Sequence, residues 1–230
     1  ALLLASLVPL VGCGEHGNEV FASDSREVRA FTAVENRSSA NVYVRVDPAS
    51  EPGDVRLTVS GDENLIEDVD AWVEAGWLVV ETDHDLWPHF ELKLTATVSR
   101  LTDATNEGSG DLEVTGLSGS DLGLTSLGSG ELRASADGTR LSINSSASGE
   151  VYVDGASDRI EVVSSGSGDV NALGLEAHDA VVHASGSGTI EVCVTGRLEA
   201  HVSGSGNIEY GCHPDSVVPY DSGSGDIRPD

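Results

Sequence analysis

Seven times in the second half of the chain a short corner of small residues returns at nearly constant spacing, and this constrains the fold more than any other feature. The corners are Gly108-Ser109-Gly110, Gly128-Ser129-Gly130, Ala147-Ser148-Gly149, Gly166-Ser167-Gly168, Gly186-Ser187-Gly188, Gly204-Ser205-Gly206 and Gly223-Ser224-Gly225. Their last glycines, Gly110, Gly130, Gly149, Gly168, Gly188, Gly206 and Gly225, lie 20, 19, 19, 20, 18 and 19 residues apart. A repeat of this length is one supersecondary unit that cannot bury its apolar side chains alone and must stack on its neighbours.

Each corner is followed by a polar residue (Asp111, Glu131, Glu150, Asp169, Thr189, Asn207, Asp226) and then an aliphatic one (Leu112, Leu132, Val151, Val170, Ile190, Ile208, Ile227). Two residues on stands Val114, Ala134, Val153, Ala172, Val192 or Tyr210. This period of two is that of a strand. A second short strand precedes each next corner, as in Leu141 and Ile143 or Ile160 and Val162. Stacked units place columns of Leu, Val and Ile in one interior, which predicts an all-β parallel β-helix, or β-solenoid, of about seven coils. At about 4.8 Å per coil the stack is roughly 34 Å long. Antiparallel hairpins would show the same alternation but explain the constant corner chemistry less well. The corner glycines serve close approach or unusual backbone angles, and the corner serines are expected to hydrogen-bond in a column.

Composition excludes some functions. Twelve Lys and Arg against 39 Asp and Glu give a net charge of −27. Such a chain lacks the clustered cations that hold phosphate backbones, so nucleic acid is not a partner. It is also unsuited to electrostatic docking on anionic lipid. Acidic residues following successive corners repel one another and invite weak divalent-cation binding, calcium included. Specific calcium loops are not expected, because nonapeptide calcium rolls place an aspartate every nine residues rather than every 19.

Residues 1–12 (ALLLASLVPLVG) are uncharged and apolar. They are too short to span a bilayer, which takes about 20 residues, and match the apolar region of a signal peptide whose basic start is missing. The segment ends in Leu10-Val11-Gly12-Cys13, which resembles the bacterial lipobox, in which the cysteine becomes acylated. An ordinary signal peptide or a core strand with an incidental cysteine is the alternative. The expected organisation is a lipoprotein signal peptide at 1–12, lipidated Cys13 with a polar linker at 13–25, and a single domain at 26–230. Within that domain 26–106 is an entry and cap portion and 107–230 the regular repeats. In an oxidising compartment Cys193 and Cys212, one repeat apart, are expected to form a disulfide, with Gly211 bulging so that they meet.

The corner sequences SSGSGDV, ASGSGTI, VSGSGNIEY and DSGSGDI, with EGSGD at 107–111, resemble the bacterial head GIN domain family, named for the head of autotransporter adhesins. Phe31 to Val34, Asn41 to Val46, residues 55–82 and Leu101 fit its entry segment, so the resemblance covers roughly residues 26–228. It implies a right-handed parallel β-helix, often in envelope lipoproteins, with no assigned catalytic residues or cofactor. Ala147 departs from the pattern by replacing a corner's first glycine. The entry block also predicts one helix: in Asn64 to Glu74, Leu65, Ile66, Val69, Trp72 and Val73 fall at helical spacing and Gly76 can stop it. That short helix, with strands, would cap the open end of the solenoid.

The chain has no G-x-S-x-G elbow, P-loop or H-E-x-x-H. Two histidine groups are weak metal candidates. His183 and His201 share a phase in successive coils, beside Glu199 and under Tyr220, and Asp83, His84, Asp85 and His89 form a ligand-capable loop. The sequence therefore reads as a non-catalytic cell-envelope lipoprotein of the outer membrane, periplasmic or surface-facing, with an adhesin-like structural or binding role. Its expected partners are the membrane, through Cys13, and a glycan or protein ligand, and it needs no cofactor. Two alternatives stand beside it. One is a polysaccharide-active β-helix lyase or hydrolase, against which isolated arginines and short turns argue. The other is a divalent-cation-binding envelope protein.

Overall fold

The computed structural model describes residues 14–230 apart from 51, 52 and 54. Residues 1–12, expected to be a signal peptide, and Cys13, the expected lipidation site, lie outside the described residues. The cap contains β1 (Glu15–His16), β2 (Phe21–Val28), β3 (Ala33–Asn36), β4 (Asn41–Val46), β5 (Val55–Asp62), β6 (Val69–Glu74), β7 (Trp77–Thr82), β8 (Leu86–Trp87) and β9 (Lys93–Val98). The repeats follow as β10 (Asp103–Asn106), β11 (Leu112–Ser126), β12 (Leu132–Ser145), β13 (Val151–Ser164), β14 (Val170–Ala184), β15 (Ile190–Val194), β16 (Arg197–Val202), β17 (Ile208–Gly211), β18 (Ser216–Asp221) and β19 (Ile227–Pro229).

The repeats form a parallel β-solenoid in which equivalent positions pair from coil to coil. Leu112, Leu132, Val151, Val170, Ile190 and Ile208 are in register and wholly buried. A second column runs through Leu124, Ile143, Val162, Val182 and Ala200. In-register stacking satisfies every strand through its neighbours and leaves an aliphatic interior, which suits a chain that is only 4% aromatic. Coils β11 to β14 are each one ribbon of 14 or 15 residues rather than two separate strands. Local register shifts, such as that between Val114 and Leu117, turn the ribbon without breaking it.

The stack holds one more coil than the Gly-Ser-Gly count. β3 and β4 pair in parallel with β10 and β11, and Ser38-Ser39-Ala40 sits under Gly108-Ser109-Gly110 as a degenerate corner. Beneath it β7 and β9 pair in parallel with β3 and β4, with Asp83 to Leu92 in place of the corner.

The expected helix at Asn64 to Glu74 is not formed. Among the described residues, helical geometry is confined to the 3-10 turn Ile66–Asp68, and Val69–Glu74 is β6, antiparallel to β7. Val69, Ala71 and Val73 point inward and Asp70, Trp72 and Glu74 outward, so the period-two reading of the same residues prevails. Gly76, read as a helix stop, is the second residue of a tight hairpin turn, with φ of 49° at Ala75 and 87° at Gly76. The cap is thus a β structure: β5 runs antiparallel to β9 and covers the edge, and β2 runs antiparallel to β5. Arg26 of β2 donates to the Ile66 carbonyl at 2.5 Å and to that of Val69, satisfying groups the short 3-10 turn leaves open.

Residues 14–25, read as a polar linker, pack against the cap, with β1 and part of β2 among them. β1 pairs in parallel with β8. The buried carboxylate of Asp62 accepts the backbone N–H groups of Glu19 at 2.9 Å, His89 at 2.7 Å and Phe90 at 2.9 Å. Burial pushes its pKa up, but these three donors outweigh it and hold the group below its ordinary value.

Candidate functional site

The corner glycines do not use positive φ; among the described glycines only Gly61, Gly76, Gly116 and Gly155 do. Their role is close approach. A Cβ added to Gly130, Gly168, Gly188, Gly206 or Gly225 would run into the backbone of the corner below. The corner serines Ser109, Ser129, Ser148, Ser167, Ser187, Ser205 and Ser224 are exposed and face water instead of forming the expected column. A buried polar column does exist, four residues before the last residue of five corners: Asn36, Asn106, Ser126, Ser145 and Ser164, continued by the apolar Ala184 and Val202. Asn36 and Asn106 donate to backbone carbonyls of the adjoining corners. The hydroxyls of Ser126, Ser145 and Ser164 have no hydrogen-bond partner among the described residues.

The polar residues after the corners work between coils. Asp111 accepts the N–H of Glu131 at 2.9 Å, Asp169 that of Thr189 at 2.6 Å, and Asn207 that of Asp226 at 3.0 Å. The longer glutamates turn sideways, Glu131 to Arg133 and Glu150 to the Tyr152 hydroxyl. Much of the acidic column is therefore held by donors.

Two outward ladders and one cleft remain as candidate surfaces. Along one, Tyr43, Glu113, Arg133, Tyr152, Asn171, Glu191, Glu209 and Arg228 share a phase. The Arg133 guanidinium lies 4.2 Å over the Tyr152 ring, and Asn171 donates to Glu191 at 2.7 Å. Tyr43 donates to Glu91 at 2.8 Å, and burial together with that carboxylate pushes its pKa up to about 12. At the far end Glu191, Glu209 and Asp230 bring carboxylate oxygens within 4.8 Å of one another. Burial, then Glu209, Asp230 and Asp169, raise the pKa of Glu191, while Arg228 pairs with Glu209.

The second ladder carries His183, His201 and Tyr220. Their rings stack at 4.5 Å and 4.4 Å between centroids, nearly parallel. Stacked imidazoles meet face to face, whereas metal ligation uses in-plane nitrogen lone pairs. Glu199 is occupied by Arg197 and His201, each at 3.1 Å, which lower its pKa. The arrangement is a flat aromatic strip rather than a metal centre. Of the loop candidates Asp83, His84, Asp85 and His89, only His84 joins a ligand-capable group, with Glu15 and Asp68 from other parts of the cap. His89 instead lies 4.0 Å from Glu19.

The third surface is an open cleft of about 460 Å³ where β5 crosses the first coils, lined by Tyr43, Arg45, Arg56, Thr58, Thr95 and Thr97. Hydroxyls, two guanidiniums and the Glu113 carboxylate suit a polar ligand.

Cys193 and Cys212 are bonded, with their Cα atoms 5.1 Å apart. Gly211 pairs in register with Cys193 instead of bulging. The chain then turns back through Cys212 and His213, at φ of 64° and 55°, which brings the Cys212 side chain over its partner.

The family model described as "Putative auto-transporter adhesin, head GIN domain" matches residues 30–214. The crystal structure of a putative adhesin from Bacteroides fragilis is 22% identical, with a TM-score of 0.86 over 94% of this chain and 100% of that one. A putative lipid binding protein from Parabacteroides distasonis is 25% identical, with a TM-score of 0.73 over 94% and 99%. A putative adhesin from Parabacteroides merdae is 17% identical, with a TM-score of 0.70 over 94% and 99%. No match is found among curated proteins.

Proposed function

Because this chain belongs to the head GIN domain family, we propose that it is an adhesin-like binding module of the bacterial cell envelope, non-catalytic and held to the outer membrane by acyl chains on Cys13. The observation that carries the binding role is the register of the outward ladders. Short corners leave the flanks of the rod open, and in-register pairing presents equivalent positions at about 4.8 Å spacing. The result is an extended recognition strip rather than an enclosed reaction site. With their faces turned to one another, His183, His201 and Tyr220 present a row of ring edges whose nitrogens and hydroxyl can hydrogen-bond a glycan.

Binding of the full chain to immobilised mucin glycoprotein, measured by biolayer interferometry, tests the role. Binding that falls in a His201→Ala, Tyr220→Ala double variant supports the strip as the contact surface. Equal binding by the double variant moves the contact elsewhere. Release of new reducing or unsaturated sugar ends from acidic glycans would replace the binding reading with the enzymatic one. The anchor is tested by radioactive fatty acid, which should label the wild type and not Cys13→Ala. No helix among the described residues is long and apolar enough to cross a membrane.

The Glu191, Glu209 and Asp230 group favours a second reading, divalent-cation binding at the disulfide-closed end. Calorimetric calcium titration showing a saturable site lost in Glu209→Gln would support it.

A further inference from the structure

We propose that the cap is a membrane-contacting foot, in which Trp87, Phe21 and Val20 enter the interfacial layer of the bilayer that holds Cys13. The inference rests on acylation of Cys13, and its test separates the two.

Covalent geometry comes first. Gly14 adjoins Cys13, and it is seated against Trp87: a Cβ on Gly14 would lie 2.8 Å from Trp87 Cδ1 and 3.1 Å from the Asp85 carbonyl oxygen. The following residues are stitched to the same strand. Glu15 N–H donates to the Asp85 carbonyl at 2.9 Å and Gly17 N–H to the Trp87 carbonyl at 3.0 Å. One trans peptide spans about 3.8 Å between Cα atoms. Gly14 is bonded to Cys13, so acyl chains on Cys13 would leave the protein one residue from the Trp87 ring.

Three exposed apolar side chains lie in this part of the cap. Trp87 is 58% exposed, Phe21 60% and Val20 49%, three of the six most exposed large hydrophobic side chains among the described residues. Phe90 supports Phe21 edge to face at 5.7 Å, and His16 stacks on Trp87 at 6.1 Å. The patch is also rigid. Asp62 ties the segment bearing Val20 and Phe21 to the one bearing Trp87 and Phe90 through the N–H groups of Glu19, His89 and Phe90. Asn64 adds bonds to Glu15 Oε1 at 2.8 Å and to the His16 carbonyl at 2.9 Å.

A bilayer is the occupant these features fit. Tryptophan settles at the headgroup level, with its ring in the apolar boundary and its N–H toward water. The flanking charges Glu15, Glu19, Glu63 and Asp85 are acidic, so contact comes from apolar insertion and favours zwitterionic headgroups over anionic ones. Inserted side chains add a second attachment to the acyl chains and fix the orientation of the rod. The disulfide-closed coils then stand seven corner spacings away, roughly 34 Å along the stack.

The test uses the full acylated chain carrying Trp72→Phe and Trp77→Phe, which leaves Trp87 as the sole tryptophan. The chain is reconstituted in vesicles of phosphatidylethanolamine and phosphatidylcholine with and without brominated acyl chains. The expected result is loss of Trp87 emission in the brominated vesicles, together with a blue shift relative to the Cys13→Ala chain in solution. If the double variant misfolds by circular dichroism, the quenching of the wild type minus that of Trp87→Phe gives the same quantity. Fatty-acid label without quenching overturns the foot and leaves the anchor standing. A blue shift without quenching means protein, a second copy included, covers the patch, and also overturns it. No fatty-acid label removes the anchor and the foot together.

Discussion

Replacing Gly188 by alanine isolates the force that sets the coil spacing. The added Cβ would lie 2.8 Å from the carbonyl carbon of Gly168, and nearer still to its oxygen. Both groups are backbone, with no flexible side chain to move aside. An ordinary contact of about 3.5 Å requires the two corners to part by about 1 Å. That corner is held by the hydrogen bonds Ser187 N–H to Gly166 O at 3.0 Å and Val170 N–H to Thr189 O at 2.9 Å. Parting by about 1 Å takes both beyond hydrogen-bond length, at about 0.5–1.5 kcal/mol each. Overpacking adds roughly 1–3 kcal/mol, so the expected loss is about 2–6 kcal/mol. For a domain of this size that lowers the midpoint by roughly 5–20 °C. Thermal unfolding followed by far-UV circular dichroism reads it directly. Ala147→Gly is the control, because a small side chain already fits the first position of its corner, and its midpoint should barely move. A Gly188→Ala midpoint equal to the wild type would refute the argument that backbone contact demands glycine there.

Three further outcomes are expected. Removing the disulfide by Cys193→Ser should cost about 3 kcal/mol, the loop-closure value for a bridge spanning 19 residues; denaturant unfolding measures it, and an unchanged midpoint would count against the staple. Glu191 titrates above its ordinary value in the folded chain, so its ionisation opposes folding and the stability it contributes at low pH is lost as pH rises through the folded pKa. Glu191→Gln should accordingly melt higher than wild type at neutral pH, with the difference closing below about pH 4; a lower midpoint at neutral pH would contradict this. Asp62 titrates below its ordinary value, so its contribution is present above the unfolded pKa of about 3.9 and is lost as pH falls through the folded one. Asp62→Ala should free the stretch before β2, seen as new protease cleavage between residues 14 and 20 at neutral pH, and protection equal to the wild type would deny the carboxylate that role.

Most of the solenoid was legible because a repeat pairs each position with its own equivalent. Leu132 predicts the environment of Val151 and Val170 once the period is known. The degenerate corner Ser38-Ser39-Ala40 escaped because it keeps the size of the motif and not its letters. The buried Asn36, Asn106, Ser126, Ser145 and Ser164 column carried a signal, a small polar residue four before the last residue of those five corners, but only the structure shows that this phase points inward. In the cap no repeat arbitrates. Leu65, Ile66, Val69, Trp72 and Val73 satisfy helical spacing, while Val69, Ala71 and Val73 satisfy a strand. The hairpin turn at Ala75-Gly76 decides between them, and alanine hides the usual Asn-Gly signature.

The sequence by itself determined the parallel coils, their spacing, the aliphatic interior and the acidic surface, because all of these follow from local alternation and a fixed period. Tertiary structure alone decided what lies between distant segments: Glu15 and Trp87 on adjoining strands, and three backbone donors converging on Asp62. Those contacts join residues far apart in the chain and outside the period, where no local pattern records which surfaces will touch.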